Sequence, residues 1–126
     1  DQSYTRLKSW IEASIDKYKV ELRKVLYPVF VHVYLDLTTK GLKDQAKHFF
    51  DLFNSDHAEM HGSDIQRLST LSDPQHVKEN DLAQRFRNNK FCIRMSKYGF
   101  ELLLSYLSDN RFMLLLRLIN EHISIQ

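Results

Sequence analysis

The stretch Leu26-Tyr27-Pro28-Val29-Phe30-Val31-His32-Val33-Tyr34-Leu35 decides how this chain folds, because it is the densest apolar run in the sequence. With Val25 in front of it, the run is only about half the roughly 20 residues that a helix needs to cross a bilayer, and it contains Pro28 and His32, so it reads as core rather than membrane. On its N-terminal side apolar residues recur every three or four positions at Tyr4, Leu7, Ile11, Ile15, Tyr18 and Leu22. The stripe continues through Val25, Val29, Val33 and Leu37. This spacing puts them on one face of a helix, so the first forty residues read as one long helical stripe. Pro28 interrupts it, because proline has no N–H for the carbonyl of Lys24 and its ring crowds that carbonyl. Tyr27 is biased toward extended backbone by the proline that follows it. A kink or short break is expected there, with a new helix starting at Pro28. Val29–Val33 is also β-branched enough to form a buried strand. Its place inside a longer helical stripe, without turn residues nearby, favours helix and makes it a central core helix.

Further along, Gly41 fits the left-handed residue that closes a helix after Thr38-Thr39-Lys40. Leu42, Ala46, Phe49, Phe50 and Phe53 then mark an amphipathic helix. The polar segment 54–62 is expected to be irregular. Ser63-Asp64-Ile65-Gln66 reads as a capping box opening a helix through Leu68 and Leu71. Ser72-Asp73-Pro74 is a second helix start, and Leu82 with Phe86 suits a further short helix. After the Asn88-Asn89 turn, Phe91, Ile93 and Met95 alternate with Cys92, Arg94 and Ser96 in the period of a strand. Two last helices carry Phe100, Leu103, Leu104 and Leu107, then Phe112, Leu115, Leu116, Ile119 and Ile123. A turn and cap at Ser108-Asp109-Asn110 joins them, and they are expected to pack as an antiparallel pair. The expected class is all-α: a single compact multi-helix domain over residues 1–126, part of a longer protein, with one short β-hairpin or extended segment near residues 84–96.

Bulk composition agrees. Apolar residues make up 43% of the 126 and aromatics 12%, which suffices for a core without staples. Three glycines and two prolines are too few for a fold rich in β-turns. The lone Cys92 excludes an internal disulfide framework, and a formal charge of +2 gives no bulk signal for nucleic acid or membrane. No signal-peptide pattern of basic then apolar residues opens the chain.

Catalytic patterns are missing. Gly41, Gly62 and Gly99 are isolated, so no phosphate-cradling loop exists, and there is no Gly-x-Ser-x-Gly elbow. His57 and His61 have the spacing of a zincin pair, but Ala58 stands where the motif puts its glutamate and no third ligand suggests itself. They read as solvated loop histidines, His32 as a hydrogen-bonded core histidine, and Cys92 as a small buried apolar residue. No catalytic residue, metal ligand or cofactor is expected. The charge distribution is more informative. Arg85, Arg87, Lys90, Arg94 and Lys97 occupy a stretch with no acidic residue, and Asp51, Asp56, Glu59 and Asp64 a stretch with no Lys or Arg. These are the candidate interaction surfaces, basic and acidic, unless both are ordinary solvated faces.

Several strings carry a resemblance across nearly the whole chain. They are Glu21-Leu22 followed by Leu26–Leu35, Ala46-Lys47-His48-Phe49-Phe50 with Phe53, Leu68-Ser69-Thr70-Leu71, Phe86-Arg87, and Lys90-Phe91-Cys92-Ile93-Arg94-Met95-Ser96. In this order they resemble the helical domain that precedes the WD40 propeller in the TATA-box-binding-protein-associated factor five family of TFIID subunits. The resemblance implies an α-helical, non-enzymatic scaffold domain of a nuclear transcription complex, TFIID and in fungi also the SAGA coactivator. A LisH segment would lie upstream and the propeller downstream. Implied partners are other TFIID and SAGA subunits, especially histone-fold TBP-associated factors, with no cofactor and no membrane. Direct nucleic-acid contact is not expected; a nucleic-acid-binding module using the basic face is the alternative.

Overall fold

Helix formation at the N-terminus is set by where the backbone loses its partners. In the computed structural model, which describes residues 2–125, the first stripe is two helices, α1 (Gln2–Glu12) and α2 (Asp16–Arg23). Tyr4, Leu7, Ile11 and Leu22 are buried as the spacing predicts. The continuous helix expected through Ile15 is corrected. The Ser14 hydroxyl donates back to the Trp10 carbonyl at 2.9 Å, the local bond by which serine competes with the helix ladder. Ile15 then turns extended (ψ 135°) and is 74% exposed.

Helix α3 (Leu26–Thr39) starts two residues before Pro28 rather than at it. The first N–H groups of a helix have no intrahelical carbonyl to reach, so a proline in the first turn forfeits nothing. Every residue from Val25 to Leu35 is buried, as an all-round apolar helix requires. Its end follows the expected course. Gly41 adopts φ 78°, its N–H donates to Thr38, and the Leu42 N–H donates to Leu37, closing the helix by a Schellman motif.

The chain divides into two compact units, one continuous (Phe30–Asn89) and one assembled from the residues up to Val29 and from Lys90 onward. Within the continuous unit, α4 (Lys43–Phe53) buries Ala46, Phe49, Phe50 and Phe53. Phe30 lies 5.4 Å from Phe49 and 5.8 Å from Phe50, centroid to centroid, and Tyr34 lies 4.9 Å from Phe50. Residues 54–62, expected to be irregular, are ordered. A 3-10 turn at Asn54–Asp56 leads into α5 (Ala58–Leu68), which is kinked at His61 (φ −132°, ψ 27°). The helix thus resumes before Ser63, not at it. The turn also swings His57 inward, 5.0 Å from the Phe30 ring, so it is a core residue and not a solvated one. His32 is buried as expected, edge-on to Phe86. The single Tyr34 hydroxyl proton is donated mainly to the Leu71 carbonyl at 2.6 Å, with the Leu68 carbonyl at 3.1 Å as the longer arm, and burial pushes its pKa up. Helix α6 (Pro74–Glu79) is capped by Asp73, which accepts from the His76 N–H. Helix α7 (Asp81–Asn88) is capped by Asn80, which accepts from Ala83.

In the discontinuous unit the segment after Asn89 is a strand, β1 (Phe91–Ile93). A hairpin is not what forms. The partner is β2 (Ile123–Ile125), in parallel register with Phe91 opposite Ile123 and Ile93 opposite Ile125. Ile123, expected on the last helix, therefore sits on β2. The alternation turns Ile93 inward and Cys92 outward, so Cys92 is exposed rather than buried. Helices α8 (Lys97–Asp109) and α9 (Met113–His122) pack against each other across a short link. The expected Ser108-Asp109-Asn110 cap is corrected: Arg111, at φ 58°, is the left-handed residue, and the Phe112 N–H donates to Leu107. A non-glycine residue there costs roughly 1 kcal/mol.

Candidate protein-interaction surfaces

The basic residues are distributed over both units, and all five are exposed. Arg85 and Arg87 project from α7 in the continuous unit, whose opposite face buries Leu82, Ala83 and Phe86. Lys90 precedes β1, Arg94 follows it, and Lys97 opens α8, all in the discontinuous unit. None of the five forms an ion pair among the described residues. The sequence did not point to Lys24, yet its ammonium reaches the Arg94 carbonyl at 3.4 Å and adds a cation beside this segment. Next to it, the Glu21 carboxylate accepts from both the N–H and the hydroxyl of Ser96, at 3.2 and 2.8 Å. Ser96 in turn caps α8 by accepting from the Gly99 N–H. A Cβ on Gly99 would lie 2.7 Å from a Glu21 oxygen. Glycine is what lets the carboxylate close over the start of α8.

The acidic residues all belong to the continuous unit. Asp51, on α4, is paired with Lys47 at 2.8 Å, and that hydrogen bond holds the lysine above its ordinary pKa. Asp56 lies in the 3-10 turn, Glu59 in the first turn of α5, and Asp64 is half-buried on α5. The continuous unit has another feature, a hollow of about 510 Å³ lined by Arg67, Asp81, Gln84, Arg85, Asn88 and Asn89. Arg67 is far from Arg85 in sequence, and only the packing of α5 on α7 brings the two to one surface. Among the described residues no group of three or more His, Cys, Asp and Glu side chains is arranged to hold a metal ion. No helix there is long and apolar enough to cross a membrane.

The model of the WD40 associated region in TFIID subunit, NTD2 domain, matches residues 1–123. The chain belongs to this family. A SAGA complex/transcription factor TFIID complex subunit Taf5 from Schizosaccharomyces pombe is 40% identical over 98% of the chain. A transcription initiation factor TFIID subunit 5 from Arabidopsis thaliana is 42% identical over 99%. The chain spans about a fifth of the length of these curated relatives, 20% and 19%. The crystal structure of the Encephalitozoon cuniculi TAF5 N-terminal domain superposes with a TM-score of 0.93 at 36% identity, covering 99% of this chain and 95% of that one. The NTD2 resemblance and the mainly helical class read from the sequence both hold. The short parallel sheet is the only strand pairing among the described residues.

Proposed function

We propose that this NTD2 domain is a non-enzymatic scaffold in a nuclear TFIID subunit, serving SAGA as well, whose faces dock other subunits of those complexes. Histone-fold TBP-associated factors are the foremost partners. The family match along almost the entire chain carries this reading. Support comes from the surface: exposed cations with no carboxylate of their own are available to an acidic partner face. Arg85, Arg87, Lys90, Arg94 and Lys97 form the basic docking residues, and Asp51, Asp56, Glu59 and Asp64 the acidic ones.

The test is co-purification from nuclear extract with wild-type chain and with the Arg85→Glu, Arg87→Glu, Lys90→Glu triple variant. The variant retains its circular dichroism spectrum and loses or weakens at least one subunit. Unchanged recovery of every subunit removes the basic residues from docking. The same five unpaired cations support a second reading, direct binding of nucleic acid. That binding would weaken steeply with salt through counterion release, and a flat gel-shift titration at low salt with duplex and single-stranded DNA rejects it.

A further inference from the structure

We propose that the hollow between Arg67 and Arg85 is a docking pocket for an acidic segment of a protein partner, its Asp or Glu carboxylate held by the two guanidinium groups. This rests on the scaffold reading and supplies the chemistry of one contact. Both arginines are exposed, and neither forms an ion pair among the described residues. Asp81, Gln84, Arg85 and Asn88 recur at helical spacing along one face of α7. Arg67 in the last turn of α5 supplies the facing wall. The Gln84 amide nitrogen is committed to the Val77 carbonyl at 2.8 Å, which leaves its oxygen as an acceptor. Guanidinium forks match a carboxylate with two parallel N–H···O bonds.

The third charged group selects the class of partner. Asp81 lines the same hollow, so a ligand must bring an anion and also a donor. A polypeptide does both, through an acidic side chain and through a backbone N–H or a lysine. A phosphodiester chain brings a negative charge at every nucleotide and meets Asp81 as a repulsion. None of the lining residues is aromatic, so a base would find no ring to stack on.

The experiment titrates the 126-residue chain with three probes, following the Arg67 and Arg85 side-chain N–H signals by NMR. The probes are the peptide acetyl-Ala-Glu-Ala-Glu-Ala-Lys-amide, its glutamine counterpart, and a dodecathymidylate. The glutamate peptide is expected to shift both signals and to bind at least tenfold tighter than the glutamine peptide. Arg67→Gln with Arg85→Gln abolishes that preference, whereas Arg87→Gln, on the same helix but outside the hollow, keeps it. Melting curves establish that each variant is folded. Equal binding of the two peptides, equal loss in the Arg87 variant, or shifts produced by the oligonucleotide alone would overturn the proposal. Co-purification with the wild-type chain is measured in parallel. If subunits are retained while the peptide preference is absent, the pocket falls and the scaffold reading stands. If no subunit is retained, the scaffold reading itself fails.

Discussion

Rings pack in both units of this domain, and the two differ in the polar bonds that accompany the rings. The continuous unit, Phe30–Asn89, is closed by rings: Phe30 against Phe49, Phe50 and His57, and Tyr34 against Phe50 with its hydroxyl on two carbonyls. The discontinuous unit is stitched by polar bonds between segments far apart in the chain. Glu21 holds Ser96, Arg6 reaches Asn110, and the Tyr106 hydroxyl donates to the Arg6 carbonyl, while Trp10 stacks on Tyr106; within the N-terminal stretch Arg23 grips Glu12 with two bonds. A unit made from one stretch of chain can rely on non-directional burial. A unit made from two stretches also needs directional contacts that fix which segment meets which.

The largest effect is expected at Phe30, in the continuous unit. Phe30→Ala removes the fully buried ring on which the continuous unit converges and should cost about 3–5 kcal/mol, read as a lower midpoint in urea. Next is the phenol. Tyr34→Phe keeps the ring and takes the donor from the Leu71 carbonyl, whereas the Leu68 carbonyl keeps the Leu71 N–H, for a loss of roughly 1–3 kcal/mol by the same measurement. A Tyr34→Phe variant as stable as wild type would mean that packing alone closes this unit.

In the discontinuous unit, Gly99→Ala tests whether the stitching matters. The new methyl pushes the flexible Glu21 carboxylate aside, and the weakening of these exposed bonds offsets the gain of up to about 1 kcal/mol in helix propensity. A small net change is expected, and in a Glu21→Ala background the same substitution turns clearly stabilising. If it destabilises both backgrounds equally, Glu21 is not the reason for the glycine.

The smallest effect is a pH dependence. The Arg23 hydrogen bond holds the Glu12 carboxyl below its ordinary 4.5. A carboxyl lowered in the folded state contributes stability above its unfolded pKa and loses it as pH falls through the folded one. The pair is largely exposed, so the contribution is slight and screened by salt. Glu12→Gln should leave the melting temperature near pH 7 little changed and flatten its dependence on pH below about 4.5.

The same division explains what could be read from the sequence. Helices α3, α4, α8 and most of α9 follow from apolar spacing, Gly41 marks the end of α3, and Asp73 with Pro74 marks the start of α6. All of these are local signals. What escaped the sequence is non-local or depends on a competing bond. The partner of β1 lies at the far end of the chain, beyond two helices. The break after Glu12 depends on a serine folding back on its own helix, within an unbroken apolar period. The apolar neighbours of Cys92 suggest burial, although their own alternation turns it out. At the surface, Arg85 and its basic neighbours were visible as a charge block. Arg67 was not, because only the packing of α5 on α7 brings it beside Arg85.

The parallel pairing of β1 with β2 has a kinetic consequence. It joins Phe91 to Ile123 across about thirty residues, and closing so long a loop on its own carries an entropy cost that grows with its length. Once α8 and α9 have packed, most of that closure is already made. The pairing is then expected to form after the rate-limiting step, with values near zero on the φ scale when folding and unfolding rates of strand variants are measured. Weakening it, for instance by Ser124→Pro, should speed unfolding while leaving the folding rate almost untouched.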